Sequence, residues 1–163
     1  MIYGEEKSLL EKVFKGRRVI EIGGYKGYST NIIGAVAKNV LSVDTFQSDN
    51  IPGMHQGEST FMEYLKNKPD NADYIKGNSQ DIHTQALVPF DAYDALFIDG
   101  DHSYRGAWLD LCNYTPFLKQ GERVIAMHDF GNPQFTGVMA AAMNFFNRLP
   151  DEHVGGLAVW YRY

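Results

Sequence analysis

Residues 19 to 30, VIEIGGYKGYST, constrain the fold more than any other part of the chain. The apolar run around Glu21 predicts a buried strand, and the glycines at positions 23, 24 and 27 predict a tight turn after it. Ser29 and Thr30 can then open a helix, whose first turn presents unpaired N–H groups to a ligand. Turns that bind dinucleotides read Gly-x-Gly-x-x-Gly, but this one reads Gly-Gly-x-x-Gly. The spacing therefore predicts a nucleotide-like ligand and argues against a nicotinamide-binding dehydrogenase.

Apolar patterns of strand and helix period alternate along the rest of the chain. Strands are predicted at Arg18–Ile22, at Val40–Asp44, near Tyr74 and at 94–98, 123–130 and 156–163. Helices are predicted at Glu5–Phe14, Ser29–Ala37, Ser59–Lys66, Gln80–Leu87, His102–Leu118 and Gln134–Leu149. Strands separated by helices predict an α/β fold with a Rossmann-like, doubly wound parallel sheet. Residues 1–163 are expected to form a single domain, because no repeat or linker composition interrupts the pattern.

Polar groups directly follow several of the predicted strands. Asp44 ends the second strand about twenty residues after the glycine turn, the offset of the acid that binds ribose hydroxyls in Rossmann-like folds. The pairs Ser79–Gln80 and His128–Asp129 follow the third and fifth strands, and the segment DGDHSY at 99–104 follows the fourth. Ligands bind at the carboxyl edge of an open parallel sheet, so these groups are expected to meet in one cleft.

Taken in this order, the segments resemble the motifs of class I S-adenosylmethionine (SAM) dependent methyltransferases. Residues 21–27 are similar to the E-x-G-x-x-x-G motif of that family, and residues 77–82, GNSQDI, to the adenine-binding segment of catechol O-methyltransferases. The D-G-x-H-x-Y pattern at 99–104 and the His128–Asp129 pair are similar to small O-methyltransferases that modify antibiotics and sugars. The resemblance implies the strand order 3-2-1-4-5-7-6 with strand 7 antiparallel, and here a shortened strand 6.

The resemblance also implies SAM as cofactor and a hydroxyl group of a small molecule as methyl acceptor. It assigns Glu21 to the methionine amino group, Asp44 to the ribose and Ser79–Gln80 to the adenine. The residues it assigns to the cofactor are Glu21, Gly23, Gly24, Gly27, Tyr28, Ser29, Asp44, Thr45, Ser79, Gln80 and Asp99. Each of these residues also has a structural alternative to cofactor binding. The glycines would only permit a turn, Glu21 would be a surface charge, Asp44 would cap a turn and Ser79 would cap a helix.

The catalytic residues implied by the resemblance are His102 and Asp99. A histidine suits a general base because its ordinary pKa lies near the working pH. Asp99 and Asp129 are the implied ligands of Mg²⁺, which prefers carboxylate oxygens, although His128 stands where such enzymes often carry another acid. A bound metal would activate the acceptor hydroxyl, and without one His102 does so alone. The alternatives are a solvent-exposed His102 and a buried His128 that bonds a backbone carbonyl.

Composition excludes several other classes of function. The formal net charge of −5 argues against a nucleic-acid-binding surface, which needs a basic face. Cys112 is the only cysteine, so no intrachain disulfide forms and a reducing compartment is favoured. No segment approaches the apolar length of a membrane span, and a soluble cytoplasmic protein is expected.

The short ends of the chain leave the acceptor side of the expected cleft thinly covered. Either the loop Thr45–Gly57 or a second subunit is expected to close it. Aromatic residues at the C-terminus, Trp160, Tyr161 and Tyr163, favour a homodimer, because aromatics are enriched at interfaces. The same thin cover motivates the alternative function, a SAM- or nucleoside-binding module without methyl transfer.

Overall fold

The computed structural model describes residues 2–47, 58–121 and 123–162. The helices are α1 (Gly4–Phe14), α2 (Tyr28–Gly34), α3 (Glu58–Asn67), α4 (Ile82–Gln85), α5 (Tyr104–Tyr114), a 3₁₀ turn (Thr115–Phe117) and α6 (Thr136–Phe146). The strands are β1 (Arg18–Ile22), β2 (Asn39–Asp44), β3 (Ala72–Lys76), β4 (Ala95–Ile98), β5 (Val124–Met127), β6 (Glu152–Val154) and β7 (Leu157–Tyr161). Most of the predicted covering loop Thr45–Gly57 lies outside the described residues. Within them, no helix is long and apolar enough to cross a membrane.

The strands form one mixed sheet in the order β3-β2-β1-β4-β5-β7-β6, which confirms the predicted topology. The central strand β1 pairs in parallel on both sides, with Ile20 opposite Leu41 of β2 and Leu96 of β4. Strand β7 runs antiparallel to β5, with Val159 opposite Ala126. The sixth strand has 3 residues, as short as the sequence predicted. This order places the carboxyl ends of β1 to β5 along one edge.

Alternate strand residues face two separate apolar layers, because successive side chains in a strand point to opposite sides of the sheet. Phe97 of β4 packs against Phe14 of α1, with ring centroids 6.1 Å apart. Its neighbour Ile98 faces the other layer, which α5 and α6 cover. The central strands β1, β4 and β5 are therefore buried on both faces.

The C-terminal strand shows where two of the three aromatic residues expected at a subunit interface lie. Trp160 is fully buried and stacks on Phe146 of α6, with ring centroids 4.2 Å apart. Tyr161 is half-buried, its hydroxyl donates to Glu152 Oε1 at 2.5 Å, and Tyr163 lies outside the described residues. Strand β7 is buried on both faces from Leu157 to Trp160, so Trp160 gives no support to a homodimer.

Helix α5 begins and ends inside the predicted range His102–Leu118. Ser103 caps it, because its hydroxyl accepts a hydrogen bond from the Gly106 N–H at 3.0 Å. The α-helix ends at Tyr114, where Pro116 lacks the N–H that a further turn requires and a 3₁₀ turn follows. The cap leaves residues 99–102 as a loop at the sheet edge, and that loop carries the candidate chemistry.

Candidate active site

A cleft of about 1490 Å³ opens along the carboxyl edge of β1 to β5. The predicted site residues that line it are Gly23, Gly24, Tyr28, Ser29, Asp44, Thr45, Ser79, Gln80, Asp99, His102 and Asp129. Glu21 and Gly27 are not among its lining residues. Ile2, Tyr3 and Lys7 at the start of α1 also line the cleft, together with Phe135. The topology thus gathers residues that are far apart in sequence at one edge of the sheet.

Gly23 lies where the ends of β1 and β4 approach each other most closely. Its N–H donates to the Val43 carbonyl at 3.0 Å, and the Asp99 N–H donates to the Ile22 carbonyl at 2.8 Å. The φ angle of Gly23 is +95°, and a Cβ atom here would collide with the backbone carbonyl of Asp99. Both the backbone conformation and the space therefore require glycine.

Glu21 is fully buried behind the glycine turn, so it is not a surface charge. Its carboxyl oxygens accept hydrogen bonds from the hydroxyls of Ser29 at 2.6 Å, Thr30 at 2.6 Å and Ser42. Burial raises the pKa of Glu21 to about 7, although the three hydroxyl donors act in the opposite direction. The carboxyl group ties β1 to the first turn of α2 and to β2, and it fixes the turn from behind.

Asp44 lines the cleft at the end of β2, and backbone groups hold its carboxylate in place. Oδ2 accepts from the Tyr25 N–H at 2.7 Å, and Oδ1 accepts from the Phe46 N–H at 2.5 Å. A carboxylate has about four lone-pair sites. Asp44 therefore stabilises the loop from a position that lines the cleft.

Ser79 and Gln80 line the cleft beyond β3 and bond to side chains of the α5 region. Ser79 Oγ donates to Asp110 Oδ1 at 2.7 Å, and Gln80 Nε2 lies 3.5 Å from Asp101 Oδ2. The N-cap of α4 is Asp81, whose carboxylate accepts a backbone N–H. The alternative of Ser79 as the cap of this helix is therefore wrong.

Two histidines and two aspartates form a polar cluster at the ends of β4 and β5. His102 Nε2 lies 3.0 Å from Asp129 Oδ2 and 3.6 Å from Asp99 Oδ1. His128 Nδ1 lies 3.3 Å and 3.4 Å from the same two oxygens. The other oxygen of Asp129 accepts from Asn132 Nδ2 at 2.7 Å. The carboxylates face both imidazole rings, so His102 is not a solvated surface residue.

The charges in this cluster stabilise one another. Burial lowers the pKa of His102, but the bonds to Asp129 and Asp99 outweigh it and raise that pKa to about 9. The same balance raises the pKa of His128 to about 10. Although burial acts in the opposite direction, the histidines hold the pKa values of Asp99 and Asp129 below their usual range. At neutral pH the cluster therefore contains two imidazolium cations between two carboxylate anions.

Three residues of the site were not identified from the sequence. The ring of Phe135 stacks on His102 with centroids 4.3 Å apart, and Asn132 orients Asp129. Glu6 of α1 places Oε2 3.6 Å from His128 Nε2. The position of Asn132, close after the His128–Asp129 pair, was a usable signal. No sequence signal marks Glu6 or Phe135 as a site residue, because only the tertiary fold brings them to the cluster.

Asp99, His102 and Asp129 also form a set that fits a divalent cation. Each offers one donor atom, and these atoms lie within 4.8 Å of one another. The two carboxylate oxygens suit Mg²⁺ or Mn²⁺, whereas the imidazole nitrogen is a donor that transition metals prefer. A cation can bind this set only when His102 has lost the proton that it shares with Asp129.

Comparisons with solved structures agree with this fold. CalS11, the TDP-rhamnose 3'-O-methyltransferase of calicheamicin biosynthesis, superimposes with a TM-score of 0.66 at 14% identity, over 96% of this chain and 77% of that one. The tRNA (m1A58) methyltransferase TrmI from Aquifex aeolicus gives 0.70 at 16% identity, over 100% and 70%. The N-methyltransferase NodS from Bradyrhizobium japonicum WM9 gives 0.63 at 11% identity, over 97% and 94%.

Sequence comparison is more specific about the family. No curated protein sequence matches the chain. A family model described as a methyltransferase domain matches residues 20–130, a range that contains the glycine turn, Asp44 and the two aspartates and two histidines of the polar cluster. Since this match covers more than half of the chain, the chain belongs to the methyltransferase-domain family.

Proposed function

We propose that the chain transfers the methyl group of SAM to a hydroxyl group of a small-molecule acceptor. The observation that carries this proposal is the single cleft that joins Gly23 and Asp44 at one part of the sheet edge to His102 and its two aspartates at another. The part of the cleft around Gly23 and Asp44 suits a nucleoside that carries a flexible chain. The part around His102 suits the removal of a proton from an acceptor. Both are needed for transfer to oxygen.

The cofactor part of the proposal assigns a role to each cleft segment. The turn at Gly23 allows the methionine part to approach the backbone, while Asp44 accepts from the ribose hydroxyls. Ser79 and Gln80 border the adenine. Glu21 does not line the cleft, and it supports the methionine part indirectly, because its bonds to Ser29 and Thr30 fix the glycine turn from behind.

The chemical step requires alignment and one proton transfer. The acceptor oxygen forms a bond to the methyl carbon while the carbon–sulfur bond breaks. The electron pair of the broken bond stays on sulfur and gives S-adenosylhomocysteine. His102 Nε2 faces Asp129, which leaves Nδ1 to take the hydroxyl proton. Phe135 keeps the imidazole plane fixed during this transfer. A divalent cation at Asp99 and Asp129 would supply a Lewis acid for the same hydroxyl.

The proposal is tested by binding and by turnover. Calorimetry should detect SAM and S-adenosylhomocysteine, but not NAD. Incubation with SAM and a panel of sugars, phenols and amines should form S-adenosylhomocysteine with hydroxyl compounds. SAM binding with no turnover on any compound would favour the alternative of a binding module, and turnover on amines alone would contradict transfer to oxygen.

The Asp44→Ala variant is expected to bind SAM about 10- to 150-fold more weakly, because it loses hydrogen bonds to a charged group worth about 1.5–3 kcal/mol. Asp44→Asn should fall between this variant and the wild type, since it keeps one carbonyl acceptor. Calorimetric titration with SAM measures the effect. Asp70→Ala, which removes an exposed carboxylate outside the cleft lining, is the matched control. An unchanged SAM affinity in folded Asp44→Ala would refute the ribose assignment.

A divalent cation is expected to bind the cluster more tightly as the pH rises from about 6 to 9. The reason is competition, since a metal ligand must be deprotonated and the pKa of His102 is raised to about 9. Calorimetry with Mn²⁺ and Mg²⁺ at several pH values measures this binding without an acceptor. Asp129→Asn should weaken it, because it removes one anionic donor. If neither ion binds and a chelator leaves turnover unchanged, the metal proposal fails.

A further inference from the structure

Glu6 lies on α1, outside the sheet, and yet its side chain reaches the polar cluster. One oxygen, Oε1, accepts from the Gly156 N–H at 2.7 Å. The other, Oε2, lies 3.6 Å from His128 Nε2. The side chain of Glu6 is 18% exposed and that of His128 is 9% exposed. The contact is therefore largely protected from solvent, where electrostatic interactions are stronger than at a surface.

The turn between β6 and β7 is shaped to admit this carboxylate. Gly155 has a φ of +57°, and a Cβ atom at that position would collide with Glu6 Oε1. Gly156 supplies the N–H that holds the same oxygen. The Phe130 N–H in turn donates to the Gly156 carbonyl at 2.9 Å, which ties this turn to the segment after β5. Glu6 is thus held from the side opposite to His128.

The ring of His128 links Glu6 to the two aspartates. Its two nitrogens lie on opposite sides of the ring, so a partner on Nε2 decides where Nδ1 points. Nδ1 faces Asp99 Oδ1 at 3.4 Å and Asp129 Oδ2 at 3.3 Å. The second of these oxygens is also the partner of His102 Nε2.

We propose that Glu6 is a positioning residue that fixes the ring of His128 and, through it, holds Asp99 and Asp129 in the orientation that receives His102. The proposal rests on the proposed function, because it gives this orientation a purpose in methyl transfer. It makes α1 part of the catalytic arrangement and not only a cover for one face of the sheet. Glu6 itself touches neither cofactor nor acceptor in this scheme.

The test uses Glu6→Gln, which keeps an oxygen acceptor for the Gly156 N–H but replaces the oxygen that faces His128 with a neutral NH₂ group. Glu5→Gln is the matched control, because it removes the same charge from the same turn at an exposed position. Imidazole ¹⁵N NMR spectra of the whole protein saturated with S-adenosylhomocysteine report the two rings directly. Glu6→Gln should shift the signals of both His128 and His102, whereas Glu5→Gln should shift neither.

Kinetics with an acceptor found by screening provides a second readout. Glu6→Gln should lower kcat about tenfold, as expected for loss of an outer partner of an active-site histidine, and leave the SAM Kd within about twofold. Combining it with His128→Asn should cause no further loss beyond His128→Asn alone, because Glu6 acts through that ring. Unmoved His102 signals, or losses that multiply independently, would overturn the proposal. The NMR result needs no acceptor, so it stands even if the proposed reaction fails.

Discussion

Gly23→Ala is expected to destabilise the protein by about 2–6 kcal/mol and to weaken SAM binding at least about tenfold. Two costs combine at this position. The φ of +95° is one that alanine rarely adopts, and the added methyl group would collide with the backbone carbonyl of Asp99, which cannot rotate away. The turn must move off the end of β4, which displaces the backbone that is proposed to receive the methionine part of SAM. Urea unfolding and calorimetry with SAM measure the two effects.

Gly16→Ala separates these two costs. Gly16 has a φ of +71°, but a Cβ atom there meets nothing within 4 Å. It should therefore show only the conformational cost of about 1–2 kcal/mol and bind SAM normally. If the two variants were equally stable and bound SAM equally well, the close contact between the ends of β1 and β4 would be incorrectly described.

The alternation of strands and helices and the position of the cleft could be predicted because they depend on local patterns, whereas the strand order was implied by the family resemblance. Residues 19–30 combine a strand, a glycine turn and a helix start within a few residues, and the φ of Gly23 shows why that turn needs glycine. Asp44 and Asp99 directly follow apolar strands, and parallel strands place such residues at one edge. These features could be recognised in the sequence because each is contained in a single short segment.

Other features of the site depend on contacts that no local pattern encodes. Glu6 reaches His128 because α1 packs beside the turn at Gly155, which is distant in sequence. Glu21 could be recognised as part of a motif, but its bond to the Ser42 hydroxyl depends on the pairing of β1 with β2. Trp160 is buried because both faces of β7 are covered from Leu157 to Trp160, and the aromatic composition of that strand does not reveal this cover.

The His102→Ala variant is expected to lose about 10²- to 10⁴-fold in kcat/KM, the usual contribution of a general base. The loss should be measured at pH 9 or above. Because the pKa of His102 is raised to about 9, only about 1% of the rings are unprotonated at pH 7, and the wild type itself is slow there. His83→Ala, at an exposed position of α4 outside the cleft lining, is the control and should keep full activity.

The same base assignment fixes the direction of the pH dependence. A base must be unprotonated to act, so kcat/KM of the wild type should rise about tenfold per pH unit from pH 6 and level off near pH 9. Asp129→Asn removes the charge that raises the pKa of His102 and should move this rise to lower pH. A cation that coordinates His102 Nε2 would leave the ring proton on Nδ1 and so remove the base, and the profile is therefore also measured with a chelator. A rate independent of pH between 6 and 9, in the presence and absence of chelator, would exclude His102 as the base. The protonation state of His102 would then have no effect on the reaction.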